Sequence, residues 1–409
     1  MNASETVTGH SLIHLALSVA WECGEGRYVD HQHFEKFNVW RDLDLLPPAL
    51  QAEILDRPTG HRGVVRFAPG ELVEPWRSSE LKRVPEASFN RHFRPGHVLE
   101  PRVGRYYPKG VLQGVPGVYR ENLFPMRVVE REAGGLVCDF NHPLARLPLE
   151  IEVAIVAIHP APATHGGRCA DALAELLRGP GMPARYAGRP TDFLSDEPFR
   201  RSDAGPDGLF YAEPRLVEHL DARALEALAG LYAGLLRPGM AVLDLMAGAN
   251  SHLPAGLALG EVTGLGMNQV ELEVNPRLCA RRVHDLNADP VLPFADESFD
   301  AVLCSLSVEY LVRPMEVFRE VRRVLKPDGL FVNAFSNRWF PTKAIALWAD
   351  LHEFERPGLV AEYYLQAGGF ATLHGHSLRG LARPEGDPHY LQTALSDPLY
   401  ALWAAKGQG

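Results

Sequence analysis

The spacing of apolar residues changes character near the middle of the chain. In the first 160 residues, short runs rich in β-branched residues lie between turn signals, at Gly63–Phe67, Pro125–Val129, Gly135–Cys138 and Leu149–Val156. Such runs predict strands. One short helix is predicted over Pro47–Leu55, because proline is favoured in a first helical turn. The first part of the chain is therefore predicted to be β-rich.

Strands and helices alternate after residue 209. Met240–Leu245, Phe299–Cys304 and Leu330–Phe335 are almost wholly apolar, which is typical of strands buried on both faces of a parallel sheet. Arg313–Leu325 carries apolar residues at helical spacing between two of these runs. Leu399–Ala404 predicts a final strand that closes the sheet. This alternation predicts an α/β fold with a mainly parallel sheet.

The length of the chain and one change in composition predict the domain organisation. At 409 residues the chain is too long for one ordinary core. Residues 160–208 are rich in proline, glycine and charge, which indicates a connection. We therefore predict a β-rich domain over 1–160, a linker over 161–208 and an α/β domain over 209–409.

Composition excludes several classes of partner. A net charge of −10 offers no basic field for nucleic acid. The apolar stretch Leu12–Ala20 has no basic flank and is too short for a spanning helix, so we expect neither a leader peptide nor membrane contact. The five cysteines are isolated, with no CxxC pair, so no metal site is expected. A reducing, cytoplasmic location fits these features.

Three segments of the α/β part resemble successive motifs of class I methyltransferases. They are Val242–Gly248, Leu292–Val302 and Val324–Leu330, and they occur in the order of that family. The whole second half resembles an uncharacterised, type 11-like branch found in plants and bacteria. The resemblance implies a Rossmann-like fold, S-adenosylmethionine as cofactor and methyl transfer to an acceptor that the sequence does not identify, either a small molecule or a protein.

The resemblance assigns the first cofactor contacts to the end of the first strand. Asp244 would receive the amino group of the cofactor, and Gly248 would let the backbone approach the methionine part without a Cβ in the way. A solvated or capping carboxylate is the alternative for Asp244. The loop keeps only the middle of the family's glycines, so Ala247 and Asn250 are candidate contacts as well.

The next two strand ends supply the remaining cofactor candidates. Gly266 stands where the family usually places the acid that holds both ribose hydroxyls, and Asn268 is the candidate substitute. Asp285 is implied to face the adenine amino group, with the Leu286 amide beside a ring nitrogen. A turn-capping aspartate is the alternative for Asp285. Ser305, after the fourth strand, is a further candidate.

Candidate catalytic residues follow the later strands. Glu309 is a candidate base, Tyr310 adjoins it, and Arg338 is suited to hold a carboxylate or phosphate. Polar residues at the start of a surface helix are the alternative. Tyr211, Arg215 and His219 recur at helical spacing in a segment that often covers the site in such enzymes; core or surface positions are the alternative for these three.

The β-rich part resembles another family. Asp139–Ala145, which contains Asn-His-Pro-Leu-Ala, is similar to the segment that leads into the last strand of SlyD-type FK506-binding proteins. Leu46–Leu55 resembles the single helix of that family, and Leu99–Val129 occupies the place of its flap insertion. The resemblance implies an FKBP-like module for unfolded or proline-containing peptides. Asn141 and His142 are expected to cap a turn into the strand.

Two hypotheses of different classes follow. The first is an S-adenosylmethionine-dependent methyltransferase with an FKBP-like accessory module. The second is a prolyl isomerase or chaperone-like protein whose methyltransferase domain is degenerate, because the ribose acid and two loop glycines are missing. A nicotinamide-dependent Rossmann enzyme is excluded, since no GxGxxG follows the first strand and no acid ends the second.

Overall fold

The computed structural model describes residues 6–160, 164–166, 169–178 and 184–407. The chain folds into two compact units. Unit 1 comprises Met1–Thr191, His376–Ala382 and Ala394–Ser396, and unit 2 comprises Asp192–Gly375, Arg383–Thr393 and Asp397–Gly409. The predicted linker over 161–208 and the domain start at 209 stay predictions.

Unit 1 is built mainly from antiparallel strands. Its strands are β1 Leu12–Cys23, β2 Gly26–Asn38, β3 Arg62–Phe67, β4 Leu81–Pro85, β5 Tyr106–Pro108, β6 Pro125–Glu132, β7 Gly135–Asp139 and β8 Leu149–His159. Its helices are α1 Val39–Asp42, α2 Pro48–Gln51 and α3 Ala172–Leu177. The four predicted strands and the β-rich character are confirmed, while the predicted helix over Pro47–Leu55 is shorter than expected.

The long hairpin β1–β2 is absent from the predicted strands. Within the apolar stretch Leu12–Ala20, Ile13, Leu15, Leu17 and Val19 are buried and alternate with half-buried residues. This alternation is the signature of a strand with one face on a core. β1 lies between β2 and β8, and β3 follows β8.

A second, smaller sheet of unit 1 has its own core. Its strand order is β4-β7-β6-β5, and Phe89, Tyr107, Val128 and Leu136 belong to its buried cluster. The Asn-His-Pro segment follows β7. His142 accepts the Leu144 amide hydrogen at 3.1 Å, and Asn141 exchanges hydrogen bonds with the Arg77 backbone, so both residues are structural as expected.

Unit 2 alternates helices and strands. Its elements are α4 Asp207–Phe210, α5 Ala222–Leu235, β9 Val242–Leu245, β10 Val262–Gly266, α6 Gln269–Val274, β11 Ala280–Val283, β12 Phe299–Ser305, α7 Pro314–Val324, β13 Leu325–Phe335, α8 Ala346–Asp350, α9 Arg356–Ala367 and β15 Leu399–Ala405. Strand β14, Leu373–Arg379, begins in this unit, and its residues from His376 on belong to unit 1. The predicted α/β alternation is confirmed.

The strand order of unit 2 is β11-β10-β9-β12-β13-β15-β14. The neighbours from β11 to β13 are parallel, whereas β15 is antiparallel to β13, so the sheet has mixed orientation. The strand that is expected to close the sheet, Leu399–Ala404, lies instead between β13 and β14. The connections of the central neighbours β9 and β12 leave in opposite directions, which opens a crevice at their carboxyl ends.

No helix in the described ranges has the length and apolar character needed to cross a bilayer.

Candidate functional site

A cavity of about 340 Å³ lies at the carboxyl ends of the parallel strands of unit 2. An open α/β sheet binds ligands at this position, because the loops after neighbouring strands diverge there. The residues that line the cavity come from six segments: 207–220, 244–252, 266–271, 284–287, 305–310 and 338–340.

Asp244 is the polar residue of β9, between apolar neighbours that are fully buried. It lines the cavity with only 2% of its surface exposed, and its Oδ2 atom has no hydrogen-bond partner within the described ranges. Burial raises the pKa of this carboxyl to about 7, although a hydrogen bond from Ser251 opposes the shift. An unpartnered buried carboxylate oxygen is costly, so Asp244 is suited to a cationic donor that enters the cavity.

The loop after β9 is held by its own side chains. Met246 adopts a positive φ of 59°, and the Gly248 carbonyl accepts a hydrogen bond from Asn275 at 2.9 Å. Asn250 donates to Glu218 at 2.8 Å and accepts the His252 amide hydrogen at 2.8 Å. Ala247, Gly248 and Asn250 all line the cavity, as the resemblance implies, but the amide group of Asn250 already has loop partners.

Gly266 ends β10 at a point of very close backbone contact. A Cβ atom there would lie 2.1 Å from the carbonyl oxygen of Ala247, whose amide donates to Leu265 at 2.8 Å. Real Cβ atoms do not come this close to a backbone oxygen. Glycine is therefore required at this position, and the acid that the family usually carries there has no space in this chain.

Asn268 does not reach the cavity. Its Oδ1 accepts the amide hydrogens of Val270 and Glu271 as the N-cap of α6, and its Nδ2 donates to the backbone of Tyr211 and Ala212 at 2.9 and 3.0 Å. These bonds use its donors and its acceptor oxygen. The expectation that Asn268 substitutes for the ribose acid therefore finds no support in its position.

Glu271 is an acidic cavity residue that sequence reasoning missed. It stands in the first turn of α6, and its Oε1 accepts the Arg215 amide hydrogen at 2.6 Å. Its Oε2 lies 3.3 Å from the Cβ position that Gly248 leaves empty, which places this oxygen beside the loop after β9. The signal that could have found it is an acid shortly after Gly266, the glycine that ends the second strand of the unit.

Asp285 and Leu286 both line the cavity after β11. One oxygen of Asp285 accepts the amide hydrogens of Asn287 and Ala288 at 2.9 and 3.2 Å, so the turn-capping alternative describes part of its role. The Leu286 amide donates no hydrogen bond within the described ranges. This leaves a carboxylate and a backbone donor side by side, which is the pair that the resemblance implies for adenine.

The residues after β12 divide between the cavity and the core. Ser305 lines the cavity and shares a 2.6 Å hydrogen bond with the Tyr232 hydroxyl. Tyr310 also lines it, and its hydroxyl accepts the Phe340 amide hydrogen at 2.9 Å. Glu309 is 1% exposed and is not among the lining residues. Burial raises the pKa of Glu309 to about 7, opposed in part by Arg356.

The segment before α5 reaches the cavity without forming the helix that its spacing predicts. Helix α4 ends at Phe210, and no helix covers residues 211–220, yet Tyr211, Arg215 and His219 all line the cavity. Arg338, which follows β13, also lines the cavity and contacts Asp397 at 3.3 Å and His389 at 3.0 Å. The structure thus brings together every candidate site residue predicted from the sequence except Asn268 and Glu309.

Comparison with known proteins matches the part of the chain that builds this cavity. Residues 243–333 match a family model described as a methyltransferase domain. Demethylmenaquinone methyltransferase of Clavibacter sepedonicus is 40% identical over 98 residues, which are 23% of this chain and 40% of that protein. The ubiquinone/menaquinone biosynthesis C-methyltransferase UbiE of Paraburkholderia xenovorans is 30% identical over 154 residues, 35% of this chain and 62% of that protein.

Solved structures also resemble part of the chain. The YcgJ protein of Bacillus subtilis covers 45% of this chain at 17% identity and a TM-score of 0.33, with all of its own length matched. A SAM-dependent methyltransferase of Aquifex aeolicus covers 49% at 15% identity and a TM-score of 0.31, with 97% of its own length matched. The curated relatives above are matched over less than two thirds of their length.

Proposed function

We propose that this chain, whose residues 243–333 match a family model described as a methyltransferase domain, transfers the methyl group of S-adenosylmethionine to a small-molecule acceptor. The observation that supports this most directly is the unpartnered carboxylate oxygen of Asp244 in the strand-end cavity. The amino group and the sulfonium centre of this cofactor are positively charged. The cofactor would therefore supply the cationic partner that the Asp244 carboxylate does not have within the described ranges.

The residues around the cavity fit the parts of the cofactor. Asp244 suits the amino group, and the Leu286 amide with Asp285 suits the adenine edge. Gly266 lines the cavity, and the space that its missing side chain leaves is taken by the Ala247 carbonyl. Glu271 lines the cavity whereas Asn268 does not, so the proposal assigns the ribose hydroxyls to Glu271. When bound, the cofactor supplies an activated methyl group, and the protein supplies orientation and a dry site.

The acceptor side is formed by the residues after β12 and β13. Tyr310 and Phe340 have ring centroids 5.9 Å apart and give the cavity an aromatic wall. Because Glu309 is buried and does not line the cavity, the proposal assigns the acceptor contact to Tyr310 and not to Glu309. An acceptor that must enter this concave cavity beside the cofactor is more easily a small molecule than a protein surface. The relatives are likewise named for small-molecule acceptors such as demethylmenaquinone.

Calorimetric titration of the full chain with S-adenosylmethionine and S-adenosylhomocysteine tests the proposal. We expect saturable binding of both with micromolar dissociation constants. Absence of heat at millimolar ligand would contradict the proposal and would favour the hypothesis of a degenerate domain.

Replacement of Glu271 by Gln is expected to reduce the preference of the protein for a ribose over a 2′-deoxyribose in the bound nucleoside. The wild-type chain should bind S-adenosylhomocysteine about tenfold more tightly than its 2′-deoxy counterpart, because a hydroxyl that donates to a carboxylate contributes about 1.5 kcal/mol or more. The E271Q variant should lose most of this preference. The matched control is E273Q, since Glu273 lies exposed on the same helix. An unchanged preference in E271Q would place the ribose elsewhere.

For unit 1 we propose an FKBP-like accessory module that binds unfolded or proline-containing peptides. The observation that favours it is a group of exposed apolar side chains around the small sheet, with Tyr119 72% and Leu123 65% exposed and Phe124 50% exposed. These three residues lie within six positions between β5 and β6, and neighbouring exposed apolar side chains are typical of interaction surfaces.

Substitution of Leu123 and Phe124 by Ser tests the module in the full chain. We expect the wild-type chain to suppress aggregation of reduced insulin and the double variant to lose most of this effect, because the apolar contact area is removed. The L391S variant, which changes an exposed leucine of unit 2, is the control and should behave as wild type. A prolyl isomerisation assay on the same proteins tests the alternative hypothesis of a prolyl isomerase.

A further inference from the structure

The charges that line the cavity are unevenly distributed along the chain. Three carboxylates, Asp244, Glu271 and Asp285, belong to the ends of the first three strands of unit 2 or to the turns that follow them. The two arginines, Arg215 and Arg338, come from the segment before β9 and the segment after β13. The acidic residues match a cationic cofactor, which leaves the two arginines without a role in the proposed cofactor site.

The two other carboxylates of the cavity wall already have partners. Asp207 accepts hydrogen bonds from Arg201 at 2.8 Å and forms an ion pair with Lys343 at 3.0 Å. Glu218 accepts a hydrogen bond from Asn250 at 2.8 Å. Neither acid forms an ion pair with Arg215 or Arg338 within the described ranges. The positive charge on this side of the cavity is therefore not cancelled by these two acids.

Arg215 is held by aromatic rings instead of a carboxylate. Its guanidinium carbon lies 4.4 Å from the ring centroid of Phe210 and 5.1 Å from that of Phe340. Nη2 donates to the Phe210 carbonyl at 3.0 Å, whereas Nη1 is buried with no hydrogen-bond partner within the described ranges. A buried cationic donor without an acceptor is costly, and an anion that enters beside Phe340 would remove this cost.

We infer that the methyl acceptor carries a carboxylate and that Arg215 binds it. The single unpartnered nitrogen of a guanidinium packed against aromatic rings suits a planar monoanion, since a phosphate dianion presents more acceptor oxygens than Nη1 can serve. Arg338 also lines the cavity, but its guanidinium already has Asp397 and His389 as partners.

The backbone amide of Arg215 donates to Glu271, on the cofactor side, whereas its guanidinium packs on Phe340, after β13. The position of the guanidinium therefore favours the acceptor over the cofactor. The inference rests on the proposed function and names the acceptor class of the same site.

The test uses the full chain saturated with S-adenosylhomocysteine. Its affinities for 4-hydroxybenzoate and for the neutral 4-hydroxybenzamide are measured by saturation-transfer NMR. We expect the wild-type chain to prefer the acid about tenfold, the effect of one charge-assisted hydrogen bond. R215M should lose this preference, and R215K, which keeps the charge without the planar fork, should retain part of it.

The matched control is R319M, which removes an arginine from the exposed face of α7. It should keep the wild-type preference, and all variants should bind S-adenosylhomocysteine within about threefold of wild type. A wild-type preference in R215M overturns the inference. If R215M keeps this preference and also loses much of its affinity for S-adenosylhomocysteine, Arg215 serves the cofactor instead of the acceptor. If the wild-type chain itself binds no S-adenosylhomocysteine, the proposed function fails instead.

Discussion

Replacement of Asp244 by Asn is expected to weaken binding of S-adenosylmethionine by about 10- to 100-fold at pH 8, the range expected for a hydrogen bond to a charged group. Asparagine keeps the shape of the side chain but removes the negative charge that faces the cationic cofactor. Titration calorimetry at pH 8 measures the loss. E226Q, which removes one negative charge from the exposed face of α5, is the control and should bind as wild type.

The pH dependence of binding gives the same prediction a second readout. The pKa of Asp244 is raised to about 7, so the carboxyl is largely ionised at pH 8 and largely neutral at pH 6. The wild-type affinity should therefore fall as the pH falls through 7, whereas the affinity of D244N should change much less. Equal affinities of the two proteins at pH 8 would show that the amino group of the cofactor lies elsewhere.

Thermal unfolding of D244N separates the effect of the lost charge on cofactor binding from damage to the fold. The folded-state pKa of Asp244 lies above its ordinary value of 3.8, so the group contributes fully to stability below about pH 4. That contribution is lost as the pH rises through 7. D244N should therefore gain stability relative to wild type between pH 5 and pH 8 in thermal unfolding. A variant that melts lower at pH 8 would owe its lost affinity to misfolding.

Replacement of Gly266 by Ala is expected to destabilise the protein by about 2–4 kcal/mol, since an overpacked position of this kind forces the backbone to shift. The added Cβ would lie 2.1 Å from the Ala247 carbonyl oxygen, which belongs to the backbone and has no side-chain freedom to give way. Thermal unfolding should show a fall of about 5–15 °C in Tm. Cofactor affinity should fall as well, because the Ala247 loop lines the cavity.

Gly264 provides the matched control for this prediction. It lies in the same strand, and a Cβ there would meet the end of the Leu278 side chain at 2.4 Å. A flexible side chain can rotate away, so G264A should cost clearly less than G266A. A G266A variant that melts with wild type would contradict the close contact between the end of β10 and the loop after β9.

The strand ends that carry the proposed cofactor contacts can be predicted from the sequence, because they depend on local patterns. Val242–Leu245 and Phe299–Ser305 are apolar runs with a polar residue near the end, and a parallel sheet aligns such ends at one edge. The same reasoning misses β1, since an apolar stretch interrupted by histidine resembles neither a short β-branched run nor a complete membrane span. It also predicts a helix through Tyr211, Arg215 and His219 that the structure does not contain.

The sequence by itself determines the α/β alternation of unit 2 and the strand-end position of Asp244, because these follow from periodicity within a few residues. The pair Asp285 and Leu286 is implied instead by the resemblance to class I methyltransferases. Only the tertiary structure decides that Gly266 has no space for a side chain, that Asn268 is used as a cap and that Glu271 takes the neighbouring cavity position. The reason is physical: each of these outcomes depends on atoms contributed by segments distant in the sequence, such as the carbonyl of Ala247 and the backbone of residues 211–215. A local pattern carries no information about such contacts.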